Sequence, residues 1–351
     1  MFPRWVRYGV GALLGAVAVL FPLAAPSAAA ADIPTLRVAL TGQIDTLNPF
    51  VAITDNDITL LRHQYEALVC LTPEGHVTGS LAESYSSDDG ITWTYRLPEG
   101  RVWSDGTPIT AADVVFSLRT LMDATELAGE RYAQVAHFAG LSTSDSRTVT
   151  LTLDEPSPVP PGVDLFIVPR HIWAEHIDAL TNPLLPEIRW AAVASGPFLT
   201  TAVGDERVTM RTNPLYWRGP AAVAGIEWQL YPDLAAATTA LRANEVDVVS
   251  DLTVAEYLAL GAESGISTVR GAGDRTVSLR LNFGHSDATG MLIGDGNPAL
   301  TDPVVRAAIA MSFDMEHLVD ALFAGLGQPG LTQAPPAWPR YVGLPPGGTA
   351  R

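Results

Sequence analysis

Three side chains with metal-binding chemistry stand close together in this sequence: His171, Glu175 and His176. His171 and Glu175 are four apart and would share one helical face, whereas His176, five from His171, points elsewhere. No HExxH occurs, so the segment reads as a structural helix start and no metal site is expected. The other histidines are scattered without ligand spacing. No GxSxG is present, and the single cysteine, Cys70, has no arranged partner. It can close no disulfide within the chain, and a small buried hydrophobe is its expected role. A secreted hydrolase therefore fails on motifs. What the sequence does offer is hydrogen-bonding residues in turns. Thr41 to Phe50 (TGQIDTLNPF) follows an alternating strand, Leu36, Val38, Leu40. Ligands of open α/β lobes bind where strands reach their carboxyl edge, which puts Gln43, Ile44, Asp45 and Thr46 on a cleft wall. A second reading of that turn is that Asp45 and Asn48 only cap their own backbone.

The elements that must position such a turn are organised around Ser80 to Asp123. Ile91, Trp93, Tyr95 and Leu97 alternate with polar residues, the mark of a half-buried strand. Asp105-Gly106 supplies a turn needing positive φ. Thr110 caps a helix, with Asp113 in a capping-box position before Val114, Val115, Leu118, Leu121 and Met122. Earlier, Ile58 to Leu71 carries an apolar face that suits a helix, ended by the Pro73-Glu74-Gly75 turn. Later, Thr125 to Ser146 is polar and poorly periodic, Arg147 to Leu153 alternates as a strand, and Glu155 to Pro161 stops regular structure. Strand (Ile226, Trp228, Leu230), helix (Leu234 to Ala243), strand (Glu245 to Val249), helix (Val254 to Leu260) and an alternating strand (Val277, Leu279, Leu281, Phe283) follow. That succession predicts an α/β lobe with crossover connections. Asp302-Pro303 starts a last apolar helical face that continues through Leu318 to Leu322, and Ala334 to Arg351 is expected to be loop or disordered.

LAESY (Leu81 to Tyr85), DGITWTYRL (Asp89 to Leu97) and VWSDGTPITAADVVFSL (Val102 to Leu118) resemble, in order, the signature of the family 5 extracellular solute-binding proteins. The chain departs from that signature at Pro98-Glu99. Ile167 to Trp173, Ala194 to Phe198, Asn213 to Pro220 and Asp302 to Asp314 resemble further family segments. The resemblance implies a periplasmic-binding-protein-like (type II) two-lobe α/β fold with an extra inserted domain. It implies a binding subunit of an ABC importer, with peptides as ligand, a membrane permease as partner, no cofactor and no catalysis. It also places Gln43 to Thr46 on the cleft wall. Tyr132 becomes a candidate ligand contact, or else a satellite core aromatic. Asn282 is a candidate contact near the crossing between lobes, or else a residue serving its own strand end.

The boundaries implied are an export leader over 1–31, a first lobe from 32–60 and 186–280, the inserted domain over 61–185, and the start of a second lobe with its tail over 281–351. The leader reading rests on Arg4 and Arg7, an apolar core from Val10 to Leu23, and small residues from Ser27 to Ala31. Export to the periplasm or cell envelope follows, without lipid attachment at a leader-adjacent cysteine. Net charge is −17 and every basic residue is arginine, so the surface repels phosphate backbones and no nucleic-acid binding is expected. A monomer is expected. The resemblance seen in these segments covers about Leu36 to Pro336 while family members run longer, so the second lobe is expected to be incomplete and peptide binding weak. A non-transporting fragment of the family is the alternative.

Overall fold

A computed structural model describes residues 4–8, 34–72, 76–123, 134–176, 193–271, 277–282, 284–286, 291–293 and 296–330. Its central element is a seven-stranded mixed sheet. The strands are β1 (Arg4–Tyr8), β2 (Thr35–Thr41), β9 (Phe198–Val203), β10 (Arg207–Thr212), β11 (Gly225–Tyr231), β12 (Val248–Val249) and β13 (Ile266–Arg270), in the order β13-β1-β12-β2-β11-β10-β9. From β13 to β11 all pairs are parallel; β10 and β9 join antiparallel.

Parallel strands are covered on both faces, and the side chains of β2 show it. Val38 and Leu40 enter one core with Leu60, Phe198, Val208, Met210, Ile226 and Trp228. Ala39, between them, enters another with Ala237, Leu241, Val249, Leu260 and Ile266. The first face is roofed by the helix α1 (Asp55–Gln64), the second by the helices Leu234–Ala243 and Val254–Gly261.

The organising stretch builds a separate four-stranded antiparallel sheet. Its members are β5 (Ser84–Ser86), β6 (Thr92–Arg96), β7 (Phe138–Thr143) and β8 (Thr148–Leu153), ordered β5-β6-β8-β7. A small hairpin, β3 (Val69–Leu71) with β4 (Val77–Gly79), stands beside it. Trp93, Tyr95 and Leu97 alternate into one core with Trp103 and with Val114, Leu118 and Leu121 of α2 (Ala111–Asp123). Gly106 takes φ +88°, as the turn requires. Asp113 accepts from both the Thr110 N–H (2.8 Å) and hydroxyl (3.0 Å), fixing the first turn. Its other oxygen accepts from the Arg170 N–H at 2.9 Å, which starts the short helix α3 (Arg170–Trp173).

Several expectations are corrected. The first helix ends at Gln64, not Leu71; Val69 starts a hairpin strand paired with Val77–Gly79, and the Leu68 carbonyl accepts from the Ser80 and Ala82 N–H groups, which overrides their helical spacing. The polar stretch before Ser146 contains β7, held by β8 rather than by its own pattern. Val277 to Asn282 forms no strand, and Val277 is 79% exposed; Phe283 lies outside the described residues. The strand nearby is Ile266–Arg270, whose ISTVR has no alternation. Cys70 is half-buried rather than buried.

The crossover helices form where expected: α4 (Leu234–Ala243), capped by Asp233, and α5 (Val254–Gly261), with a complete Thr253–Glu256 capping box. The last apolar face is two helices, α6 (Pro303–Met311) and α7 (Met315–Phe323), each with its own aspartate cap. Of the expected export leader, Arg4–Tyr8 is strand β1, and the rest lies outside the described residues. The tail from Ala334 lies outside them as well.

The seam between α1 and the segments around residues 195 and 216 is tightly closed. Gly196 donates to the Gln64 carbonyl at 2.8 Å, and its carbonyl accepts from the Asn213 amide. A Cβ there would lie 2.6 Å from the His63 carbonyl oxygen. Glu66, buried beside it, accepts from Trp217 Nε1 at 2.8 Å and from Ser80 Oγ at 3.3 Å. The Arg101 guanidinium stacks 3.7 Å over the Trp217 ring.

Candidate functional site

The turn Gln43 to Thr46 begins where β2 ends, at the carboxyl edge of the central parallel strands. Gly42 makes the exit: its φ of +90° is open to glycine, and its N–H extends the ladder to the Tyr231 carbonyl at 3.2 Å. Beyond it the loop is pinned from the first turn of α1. Asn56 donates its amide to the carbonyls of Thr41 (2.9 Å) and Gln43 (3.0 Å). Asp57 Oδ1 accepts from the N–H groups of Asp45 (3.0 Å) and Thr46 (3.3 Å). Thr54 caps the helix by accepting from the Asp57 N–H at 3.2 Å. The next turn closes on itself: Thr46 Oγ1 accepts from Asn48 N–H and Asn48 Oδ1 from Phe50 N–H, each at 3.0 Å.

This arrangement divides the loop by direction. Ile44 and Leu47 face inward against the core that holds Val38 and Leu40. Gln43 and Asp45 are exposed, and the Gln43 amide donates to Asp45 Oδ1 at 2.8 Å. The polar groups at the strand end are thus held rigidly from below and presented to solvent above. Such a surface can exchange hydrogen bonds with a polar ligand.

Asp57 is fully buried, and its second oxygen, Oδ2, has no hydrogen-bond partner. Burial raises its carboxyl above the usual carboxylate range, opposed by the bonds from Thr54, Thr46 and Asp45. Asn56 and Asp57 are the residues that sequence reasoning passed over. The signal was present in Thr54-x-x-Asp57, a capping spacing placed just ahead of the apolar run.

Asn282 Oδ1 accepts from the Gly284 N–H at 3.0 Å and its carbonyl accepts from the Asn297 N–H at 3.1 Å, although no strand ends at Asn282. Tyr132 lies outside the described residues. His171 is engaged with Asp105, Nε2 to Oδ2 at 2.7 Å, while Trp173 enters the core. Burial works against ionisation of Asp105, yet the Thr107 N–H and His171 hold its carboxyl below the usual range. Among the described residues no group of three or more His, Cys, Asp or Glu side chains is placed to hold a metal ion. No helix among them is long and apolar enough to cross a membrane.

The model of the bacterial extracellular solute-binding proteins, family 5, matches residues 76–350. The periplasmic oligopeptide-binding protein OppA of Salmonella typhimurium is 30% identical over 227 residues, which cover 56% of this chain and 40% of that protein. OppA of Escherichia coli K12 is 28% identical over 274 residues, 68% of this chain and 49% of that protein. The chain therefore spans about half the length of these curated relatives. Among solved structures, the murein tripeptide-binding protein MppA of Escherichia coli superposes with a TM-score of 0.61 at 20% identity, covering 86% of this chain and 60% of that one. AgaA of A. tumefaciens R10, in complex with agropinic acid, gives 0.58 at 26% identity, covering 66% and 46%. The architecture is that of the type II periplasmic binding proteins. A family match across most of the chain, on that architecture, means that this protein belongs to the bacterial extracellular solute-binding proteins, family 5.

Proposed function

We propose that the chain is part of the exported, solute-capturing subunit of an ABC importer, that its ligands are peptides, and that it passes them as a monomer to a membrane permease. The observation that carries this is the loop Gln43 to Thr46, held by Asn56 and Asp57 at the carboxyl end of β2 with Gln43 and Asp45 outward. The peptide class is supported by the relatives, two of which are named oligopeptide-binding proteins. Export is supported by their periplasmic names and by the leader pattern of residues 1–31. Cys70 is the only cysteine and lies far from that leader, so attachment through a leader-adjacent cysteine has no residue to use.

In this reading residues 32–60 and 186–280 form the first lobe, 61–185 the inserted domain, and 281–351 the start of the second. A ligand lies against Gln43 to Thr46, exchanges its water for the polar groups of the strand end, and is enclosed when the facing lobe closes about a hinge. Affinity in two-lobed binders comes from burying the ligand on both sides.

Calorimetry with tri- to pentapeptides, paired with chromatography of the recovered peptide, tests this. The expected result is saturable binding that Gln43→Ala with Asp45→Ala reduces, the peptide returning intact. Cleaved peptide would convict the protein of hydrolysis. No heat at about 10 mM peptide would remove peptides from consideration.

A further inference from the structure

The turn that follows β10 is a rigid platform. Asn213, buried, anchors it: its amide and its own N–H donate to the carbonyls of Gly196 and Pro197, each at 2.8 Å, and its Oδ1 accepts from the Leu215 N–H at 3.0 Å. Gly219 takes φ +89° and donates to the Tyr216 carbonyl at 2.9 Å, which closes the turn. Tyr216 is buried, its hydroxyl 3.4 Å from Glu66 Oε1. Its neighbours stay outside: Leu215 is 44% and Trp217 43% exposed, and Arg218 is exposed with them.

Two guanidiniums share the Trp217 indole, Arg101 at 3.7 Å and Arg218 at 4.5 Å from the ring centroid. Stacking on the ring favours each cation but brings like charges together. Burial, foremost, lowers the Arg101 pKa; Glu66 opposes that shift, and the charge of Arg218 adds to it. Neither guanidinium is ion-paired among the described residues. The acids whose charge reaches Arg101 are already engaged. Glu66 is buried and accepts from Trp217 Nε1, Ser80 Oγ and the Tyr216 hydroxyl. Glu83 lies 3.4 Å from Arg96 and 3.1 Å from Arg147.

A chain of net charge −17 thus carries a preset spot of local positive charge edged by apolar surface. Trp and Arg dominate the binding energy of interfaces, and a platform already ordered loses little entropy when it is used. At about 0.15 M salt, fields fade over about 8 Å, so a short acidic segment meets this spot while a long polyanion also meets the acidic surface around it.

We propose that Leu215, Trp217 and Arg218, with Arg101 behind them, form a docking surface for a short acidic segment of a partner protein. Its carboxylates pair with the two guanidiniums, and its aliphatic stems lie on Leu215 and Trp217. The surface shares no residue with the loop Gln43 to Thr46.

The test is titration of the full chain with the capped peptide Ac-EELEE-amide, read by calorimetry and by the indole N–H resonance of Trp217. Saturable binding that moves this resonance is expected. Arg218→Ala should weaken it at least roughly fivefold and Arg218→Glu should abolish it. Arg270→Ala, at an exposed site on the edge strand β13 across the sheet from β10, should leave it within about twofold. Ac-KKLKK-amide and inorganic tripolyphosphate are the other arms, each expected to bind at least roughly tenfold more weakly. Absence of saturable binding, or binding that leaves the Trp217 indole in place, would overturn the proposal. Equal weakening by Arg218→Ala and Arg270→Ala would do the same, as a general charge effect. Binding of either control as tight as that of the acidic peptide would also overturn it, showing a surface without selectivity for carboxylates.

Discussion

Replacing Asp57 by alanine is the sharpest perturbation of the candidate site, because one carboxylate oxygen holds two backbone N–H groups of the loop Gln43 to Thr46. Hydrogen bonds to a charged group contribute about 1.5–3 kcal/mol each, so the gross loss is about 3–6 kcal/mol. Two effects reduce it. Burial of the carboxylate is unfavourable enough to raise its pKa despite those bonds. Asp45 is exposed, so its released N–H can turn to water. Loss of an acidic residue in the first turn of α1 adds back about 0.5 kcal/mol. The net cost expected for Asp57→Ala is about 2 kcal/mol, carried mainly by the loop. Asp57→Asn keeps an acceptor at Oδ1, sheds the buried charge, and should cost under about 1 kcal/mol. Urea unfolding gives the global figure, and amide exchange at Asp45 and Thr46 gives the local one. A local cost of about 2 kcal/mol corresponds to roughly 30-fold faster exchange at those two amides. Equal exchange in wild type, Asp57→Asn and Asp57→Ala would show that the carboxylate does not hold the loop.

Other perturbations follow from the seam and from the surface. Burial, foremost, raises the Glu66 carboxyl, against the Trp217 N–H and the charges of Arg101 and Arg218. A raised folded-state pKa adds stability below the ordinary value near 4.5 that is lost as pH rises through the folded one. The stability of wild type relative to Glu66→Gln should therefore increase as pH falls from about 7 toward 5, and a flat or opposite trend in paired unfolding curves would contradict the assignment. Gly196→Ala puts a Cβ 2.6 Å from the His63 carbonyl oxygen and 2.9 Å from Gln64 backbone atoms, so it should destabilise by about 1–3 kcal/mol, seen as a lower Tm. Wild-type Tm would show that the seam opens without cost. Arg37 forks onto both oxygens of Asp247 at 2.7 and 3.0 Å at a half-exposed site, and Arg37→Ala should cost about 1 kcal/mol, less in high salt. A larger loss that salt leaves unchanged would point to packing by the arginine stem instead.

The parts of the fold legible in the sequence are those whose local signals agree with their tertiary partners. Trp93, Tyr95 and Leu97 alternate because one face of β6 is buried, and Ala111–Asp123 and Leu234–Ala243 start at side-chain caps that need no distant partner. Where partner and pattern part, the pattern misleads. Leu68 and Val69 continue the helical spacing of α1, yet their backbone pairs elsewhere, and a short apolar run is ambiguous between helix and strand. Val277, Leu279 and Leu281 alternate, but no neighbouring strand takes them up. Ile266–Arg270 has no alternation and is a strand because β1 lies beside it. At the candidate site, the strand-end rule singles out Gln43 to Thr46 as candidates, whereas the residues beneath, Asn56 and Asp57, act through backbone geometry that spacing alone does not report. Ile44 belongs to the support rather than the surface, since it faces the core.

The claim on which the functional account turns is that polar ligands meet the chain at the end of β2. Backbone amide shifts of isotopically labelled protein, followed while a tripeptide is added, test it most directly, with agropinic acid, the ligand in the AgaA structure, as a parallel arm. The account predicts saturable shifts centred on Gln43, Ile44, Asp45 and Thr46 in the peptide arm. Shifts that saturate at another surface while these four amides stay in place would contradict it.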